Sequence, residues 1–133
     1  MNGHHESNLI IADGVQIGDA IIHMENERGT SLKIDKNAIL AYNIQIYTTD
    51  THPIFDLSNN KMINNTKSTV HIGERTWICA NSILLKGADI ADDSIVGNAS
   101  VVTKKFTDTN VILGGNPAQI VKKGIFWCGG VIS

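Results

Sequence analysis

HIGERTWICANSILLKGADIADDSIVGNASVVTKKF, residues 71–106, carries an aliphatic side chain at every sixth position: Ile72, Ile78, Leu84, Ile90, Val96 and Val102. Four residues after each of the first five stands a small residue: Thr76, Ser82, Ala88, Ser94 and Ser100. A repeat of six matches neither the 3.6-residue turn of an α-helix nor the two-residue alternation of a strand. It matches a chain wound around a triangular prism, with one short strand and one corner per face. The aliphatic residue then points into the prism and the small one fits the crowded corner. This hexapeptide pattern predicts an all-β solenoid, a parallel β-helix.

The repeat extends N-terminally through Ile46, Leu40 and Ile34, and more weakly through Ile17 and Ile11. His23 falls on the next core position after Ile17, and HMENERGTS (23–31) breaks the phase. From Ile46 to Ile72 is 26 positions, not a multiple of six. The stretch TTDTHPIFDLSNNKMINNTKST (48–69), polar and rich in Asn and Thr, must therefore leave the coil as an excursion. After the strong block, KKFTDTN (104–110) leads into VILGGNPAQIVKKG (111–124), where Pro117 predicts a short C-terminal helix because proline suits a first helical turn. The tail GIFWCGGVIS (124–133) is apolar and is expected to dock on something. Residues 1–8 read as flexible and 9–133 as one domain. About three to four coils is near the minimum for a solenoid, where terminal coils need caps. First coils of a larger parent, or a partner in their place, would complete it.

Composition agrees. Apolar residues make up 42% of the 133, enough for a core, and aromatics only 5%, as suits a thin prism filled by Ile, Val and Leu ladders. The net charge of −2 argues against general attraction to nucleic acid or anionic lipid. No apolar run approaches the roughly 18 residues of a membrane span, and MNGHHESN lacks the apolar stretch of a signal peptide. Cys79 and Cys128 have neither CxxC nor zinc spacing and read as free thiols in a reducing cytoplasm.

The excursion carries the most informative histidine. Asp50, Thr51, His52 and Pro53 read DTHP; if the strand runs on through Thr51, Asp50 and His52 face the same side. A histidine at the root of a polar loop on a rigid scaffold suits a general base; from spacing alone an exposed loop histidine is the commoner fate of a lone His. No three histidines are spaced to converge on a zinc ion. His71, beside core Ile72, is expected to face solvent. Trp77 precedes Ile78 and so points out of the prism, toward a subunit contact or a ligand groove. Lys104, Lys105, Lys122 and Lys123 either meet phosphates or form a solvated face. GGNP (114–117) is weak phosphate evidence, and GxSxG, Walker A, GxGxxG and HExxH are absent.

Taken together, WICANSILLKGADIADDSIVGNASVVTKKF (77–106) and GGNPAQIVKK (114–123) resemble the C-terminal half of left-handed β-helix, hexapeptide-repeat acyltransferases. The family wording is close to WIG…ILKGV.IG..SVVGAGSVVTK and GNPAK.I. TTDTHPIFD, followed by an Asn-containing loop, is most similar to the branch that O-acetylates sugars of cell-surface polysaccharides, near the maltose, galactoside and Nod-factor acetyltransferases. The resemblance covers roughly residues 32–127. It implies a homotrimer with acetyl-CoA, the donor substrate, in a groove between neighbouring prisms, and direct transfer to a sugar hydroxyl with no metal. His52 matches the catalytic histidine and Trp77 the Trp at the pantetheine and acceptor end. Ala80, Asn98, Thr103 and Lys104 match positions along the CoA groove, and Lys122 a basic residue near the CoA phosphates. The departures are Cys79 and Ala91 where Gly is frequent, Asn98 where Ala is common, and fewer N-terminal coils than usual. Competing readings are an acyltransferase acting on an amino sugar, an amino acid or an antibiotic, and a non-catalytic solenoid scaffold; intact DTHP, Trp77 and GGNPA count against the scaffold.

Overall fold

The computed structural model describes residues 7–24, 29–64 and 69–132. Its strands come in threes, one per face of a prism. The first coil holds β1 (Asn8–Ile11), β2 (Gln16–Ile17) and β3 (Ala20–His23), and the second β4 (Ser31–Ile34), β5 (Ile39–Leu40) and β6 (Ile44–Tyr47). The third holds β7 (Thr69–Ile72), β8 (Trp77–Ile78) and β9 (Ile83–Leu84), and the fourth β10 (Asp89–Ile90), β11 (Ile95–Val96) and β12 (Val101–Val102). β13 (Val111–Gly115) and β14 (Ala118–Lys123) close the C-terminal end. Stacking gives three sheets, β1-β4-β7-β10, β2-β5-β8-β11-β13-β14 and β3-β6-β9-β12, parallel throughout except for the β13–β14 pair. The fold is a left-handed parallel β-helix, as the repeat and the resemblance imply. No helix among the described residues is long and apolar enough to cross a membrane.

The hexad explains the core directly. Ile34, Leu40, Ile46, Ile72, Ile78, Leu84, Ile90, Val96 and Val102 are all fully buried, and register puts like beside like, as in the Ile46, Leu84, Val102 ladder. At the corners Thr76, Ser82, Ser94 and Ser100 are buried, and their hydroxyls satisfy local backbone, as in Thr76 Oγ1 donating to the Gly73 carbonyl at 2.9 Å and Ser82 Oγ to Cys79 at 2.8 Å. The residue before each corner has positive φ: Arg75 52°, Asn81 64°, Asp93 60° and Ala99 57°. Asn and Asp tolerate that region through their short polar side chains.

Two features depart from the sequence reading. His23 is not on the core position. Ile22 pairs with Ile46 and occupies it, leaving His23 outside, stacked on Tyr47 with ring centres 4.1 Å apart. The cause is a corner one residue short: Gly18 and Asp19 do in the first coil what Ala41, Tyr42 and Asn43 do in the second. Gly18 permits it, because a Cβ there would lie 2.6 Å from the Ala41 carbonyl oxygen and against the Tyr42 ring. The short C-terminal helix is also wrong. Residues after Pro117 form β14, antiparallel to β13, through a turn with Gly115 at φ +102° and a cis Asn116–Pro117 bond. β13 presents a free edge, and an edge strand satisfies the backbone of AQIVKK while Ala118 is buried and Ile120 packs on the core.

Candidate active site

The excursion starts where β6 ends, at two buried threonines. The Thr48 N–H reaches the His23 carbonyl at 3.0 Å, and its hydroxyl meets Thr30 Oγ1 at 3.1 Å. The chain then turns instead of extending. Thr51 N–H donates to Thr49 Oγ1 at 2.9 Å, Thr51 has φ 73°, and the His52 N–H donates to the Asp50 carbonyl at 2.8 Å. Asp50 and His52 therefore do not share one face of a strand. The Asp50 carboxylate accepts instead from Asn64 Nδ2 at 3.0 Å and Lys86 Nζ at 3.3 Å. His52 stands exposed, with its backbone held on both sides. Beyond it Phe55 bridges to Met62 around a tip in which Asp56 and Asn59 side chains accept backbone N–H groups.

Trp77 points out of the second sheet while Ile78 is buried, as the hexad requires. Part of the tail docks here, while Phe126, Val131 and Ile132 stay exposed. Trp127 lies 5.8 Å from Trp77, tilted by 47°, and its Nε1–H donates to the Arg75 carbonyl at 2.7 Å. Arg75 in turn grips both carboxylate oxygens of Asp93 at 2.6 and 3.0 Å, which holds the Asp93 carboxyl below its usual range. Cys79 is buried, and burial pushes its thiol pKa up, away from reactivity.

Ala80 and the exposed Asn98 stand at the next corner, in adjacent coils joined by the Ala99 N–H to the Ala80 carbonyl at 3.0 Å. Thr103 and Lys104 are exposed after β12, with Lys104 Nζ 5.4 Å from the Phe106 ring centre. Lys104, Lys105, Phe106, Gln119 and Lys123 help to line a cleft of about 490 Å³. Lys122 is on β14 but does not line that cleft, and neither do His52 and Trp77. His52 follows the third sheet and Trp77 lies on the second.

No protein-family model matches the sequence. The polysialic acid O-acetyltransferase of Neisseria meningitidis is 36% identical over 93% of this chain and 56% of its own. A crystal structure of a polysialic acid O-acetyltransferase superposes with TM-score 0.78 at 31% identity, covering 95% of this chain and 68% of that one. The chain belongs to the hexapeptide-repeat acetyltransferase family. A galactoside acetyltransferase in complex with coenzyme A (18% identity, TM-score 0.57, 87% and 64% coverage) shares the fold alone. This hexapeptide-repeat chain spans about half the length of the first curated relatives it matches, 47% and 56%.

Three features of this hexapeptide-repeat chain escaped the sequence reading. Asn64 and Lys86, the residues that grip Asp50, are separated by 22 positions and carry no motif. Trp127 was legible only as part of an apolar tail. His71 was expected in solvent, yet it is half-buried between two carboxylates, Nδ1 2.7 Å from Asp89 and Nε2 2.7 Å from Asp35. Only the imidazolium donates from both nitrogens. Burial opposes that charge, but the hydrogen bonds to Asp35 and Asp89 outweigh it and hold the pKa above its ordinary 6.5. A raised native pKa adds stability that is complete below the unfolded value and lost as pH rises through the native one. His71→Ala is expected to cost about 1–3 kcal/mol near pH 6, discounted for partial exposure. The melting-temperature gap to wild type should shrink steadily above pH 7; a gap constant from pH 5.5 to 9 would refute this charge-based account.

Proposed function

We propose that this chain is the catalytic portion of an acetyl-CoA-dependent O-acetyltransferase that modifies a sugar hydroxyl in cell-surface polysaccharide biosynthesis, with His52 as general base. The observation that carries the reading is the exposed His52 imidazole, on a turn held by its backbone, in a chain whose relatives are named as polysialic acid O-acetyltransferases. A sugar hydroxyl is a poor nucleophile at neutral pH. The unprotonated imidazole takes its proton as the oxygen attacks the thioester carbonyl, a backbone N–H stabilises the oxyanion, and the imidazolium then protonates the leaving thiolate. Trp77 borders the thioester end, Ala80, Asn98 and Thr103 follow the CoA arm, and Lys104 and Lys122 meet its phosphates. Free Cys79 and Cys128 suit a reducing cytoplasm, where acetyl-CoA is available.

The active unit in this reading is a homotrimer. Small ligands need a concave site, and two prisms side by side create one that brings His52 and Trp77 of different subunits together. Exposed Ile54, Phe55, Leu57, Met62 and Ile63 on the excursion form the kind of apolar patch that marks a contact. Light scattering should report about three times 14.4 kDa. Thiol release from acetyl-CoA, with oligosialic acid and a panel of neutral and amino sugars as acceptors, tests the activity. Transfer to a hydroxyl supports the reading. Transfer only to an amino group favours N-acylation, and a monomer that transfers at full rate removes the shared groove.

A further inference from the structure

We propose that Asn64 and Lys86 are positioning residues for this reaction, and that with Asp50 they form a clasp which fixes the turn presenting His52. The inference rests on His52 acting as the base. The Asn64 side chain spends all its hydrogen bonds within five residues centred on His52: Nδ2 donates to the His52 carbonyl and to Asp50 Oδ2, both at 3.0 Å, and Oδ1 accepts from the Ile54 N–H at 2.8 Å. The exit of the excursion thereby closes on its entry. Lys86 then ties both to the solenoid. Its Nζ donates to the Asn64 carbonyl at 2.9 Å and to Asp50 Oδ2 at 3.3 Å, and its side chain is only 11% exposed.

Lys86 is a rigid anchor. Leu85 N–H bonds the Val102 carbonyl at 2.9 Å and Ala88 N–H the Leu85 carbonyl at 2.9 Å, so its backbone belongs to a corner of the third coil. The excursion tip needs no such help, because its bonds are local, such as Asp56 N–H to the Lys61 carbonyl at 2.8 Å. The turn at His52 does need it. Thr51 sits at φ 73°, a region β-branched residues rarely adopt and keep only when surroundings over-determine it. The Lys86 end of the Lys86–Asp50 pair is mostly removed from water, while the Asp50 side chain stays 39% exposed; the charge-assisted bond holds the anchor where a base must be placed to within a fraction of an ångström.

The test uses Asn64→Ala, Lys86→Met and the conservative Lys86→Arg, with His52→Ala as reference. Thiol release from acetyl-CoA with oligosialic acid gives kcat and KM, and hydrogen exchange of the amides of His52 and Ile54 reports the clasp without any acceptor. Asn64→Ala and Lys86→Met are expected to lose about 10–100-fold in kcat, with KM for acetyl-CoA within about twofold, faster exchange confined to the excursion root, and an intact melting transition. Lys86→Arg should recover most of kcat. Unchanged exchange overturns the clasp. Faster exchange with wild-type kcat overturns its role in positioning, and a raised KM with unchanged kcat makes Lys86 a donor contact instead. A His52→Ala enzyme at wild-type rate would sink the general-base reading itself, whatever the clasp variants do.

Discussion

His52→Ala is expected to lower acetyl transfer by about 10²–10⁴-fold, the usual contribution of a positioned general base, while leaving the fold and acetyl-CoA affinity largely intact. The reason for that separation is geometric. The hydrogen bonds that shape the turn use the N–H and C=O of His52, which alanine retains. Its side chain is exposed, so truncation opens no core cavity. The residues proposed for the CoA arm, Ala80, Asn98, Thr103 and Lys104, sit at other corners and are untouched. Transfer rates, acetyl-CoA affinity and melting curves of the two proteins separate the effects. A rate within a few-fold of wild type removes His52 from the mechanism; equal losses of rate and melting temperature would make it structural.

Leu84→Asp is expected to abolish folding, and Leu84→Ala to cost about 2–5 kcal/mol. Leu84 is fully buried on β9, in register between Ile46 of the second coil and Val102 of the fourth. An aspartate there would place a carboxylate in an interior lined by Ile, Leu and Val, where no water or cation compensates it. Domains of this size rest on about 5–15 kcal/mol in total, so one buried unpaired charge suffices. Ile17 is an internal control. It points inward in the first coil, on the second sheet in register with Leu40, but is 39% exposed. Ile17→Ala should therefore cost clearly less than Leu84→Ala in thermal melts followed by circular dichroism. A Leu84→Asp chain with an unchanged melting curve would refute the register.

The inward set from Ile34 to Val102 was readable residue by residue, since each six-residue step repeats one local solution: an aliphatic side chain inward, then a tight corner with a small hydroxyl or alanine. The excursion was readable because 26 is not a multiple of six, and Trp77 because it neighbours a core position. His23 was misread because phase counting assumes equal corners and Gly18–Asp19 is one residue short. The C-terminal stretch was misread as helix because proline at a turn and AQIVKK also satisfy helical rules, and the free edge of β13 that captures them exists only once the coil is built.

The candidate site divides the same way. DTHP named His52, but Asn64, which bonds its carbonyl, lies 12 positions further along, Lys86, which bonds Asn64 and Asp50, lies 34 positions beyond His52, and His71 finds its carboxylates 36 residues back and 18 ahead. Such pairings depend on how many residues the excursion inserts and on which coil stacks on which. By itself the sequence determined the prism, its core ladder and the place where a polar loop leaves it, because those follow from a six-residue period repeated in neighbouring steps. Only the tertiary structure decided which polar groups meet across coils, since stacking sets those distances and no local period encodes them.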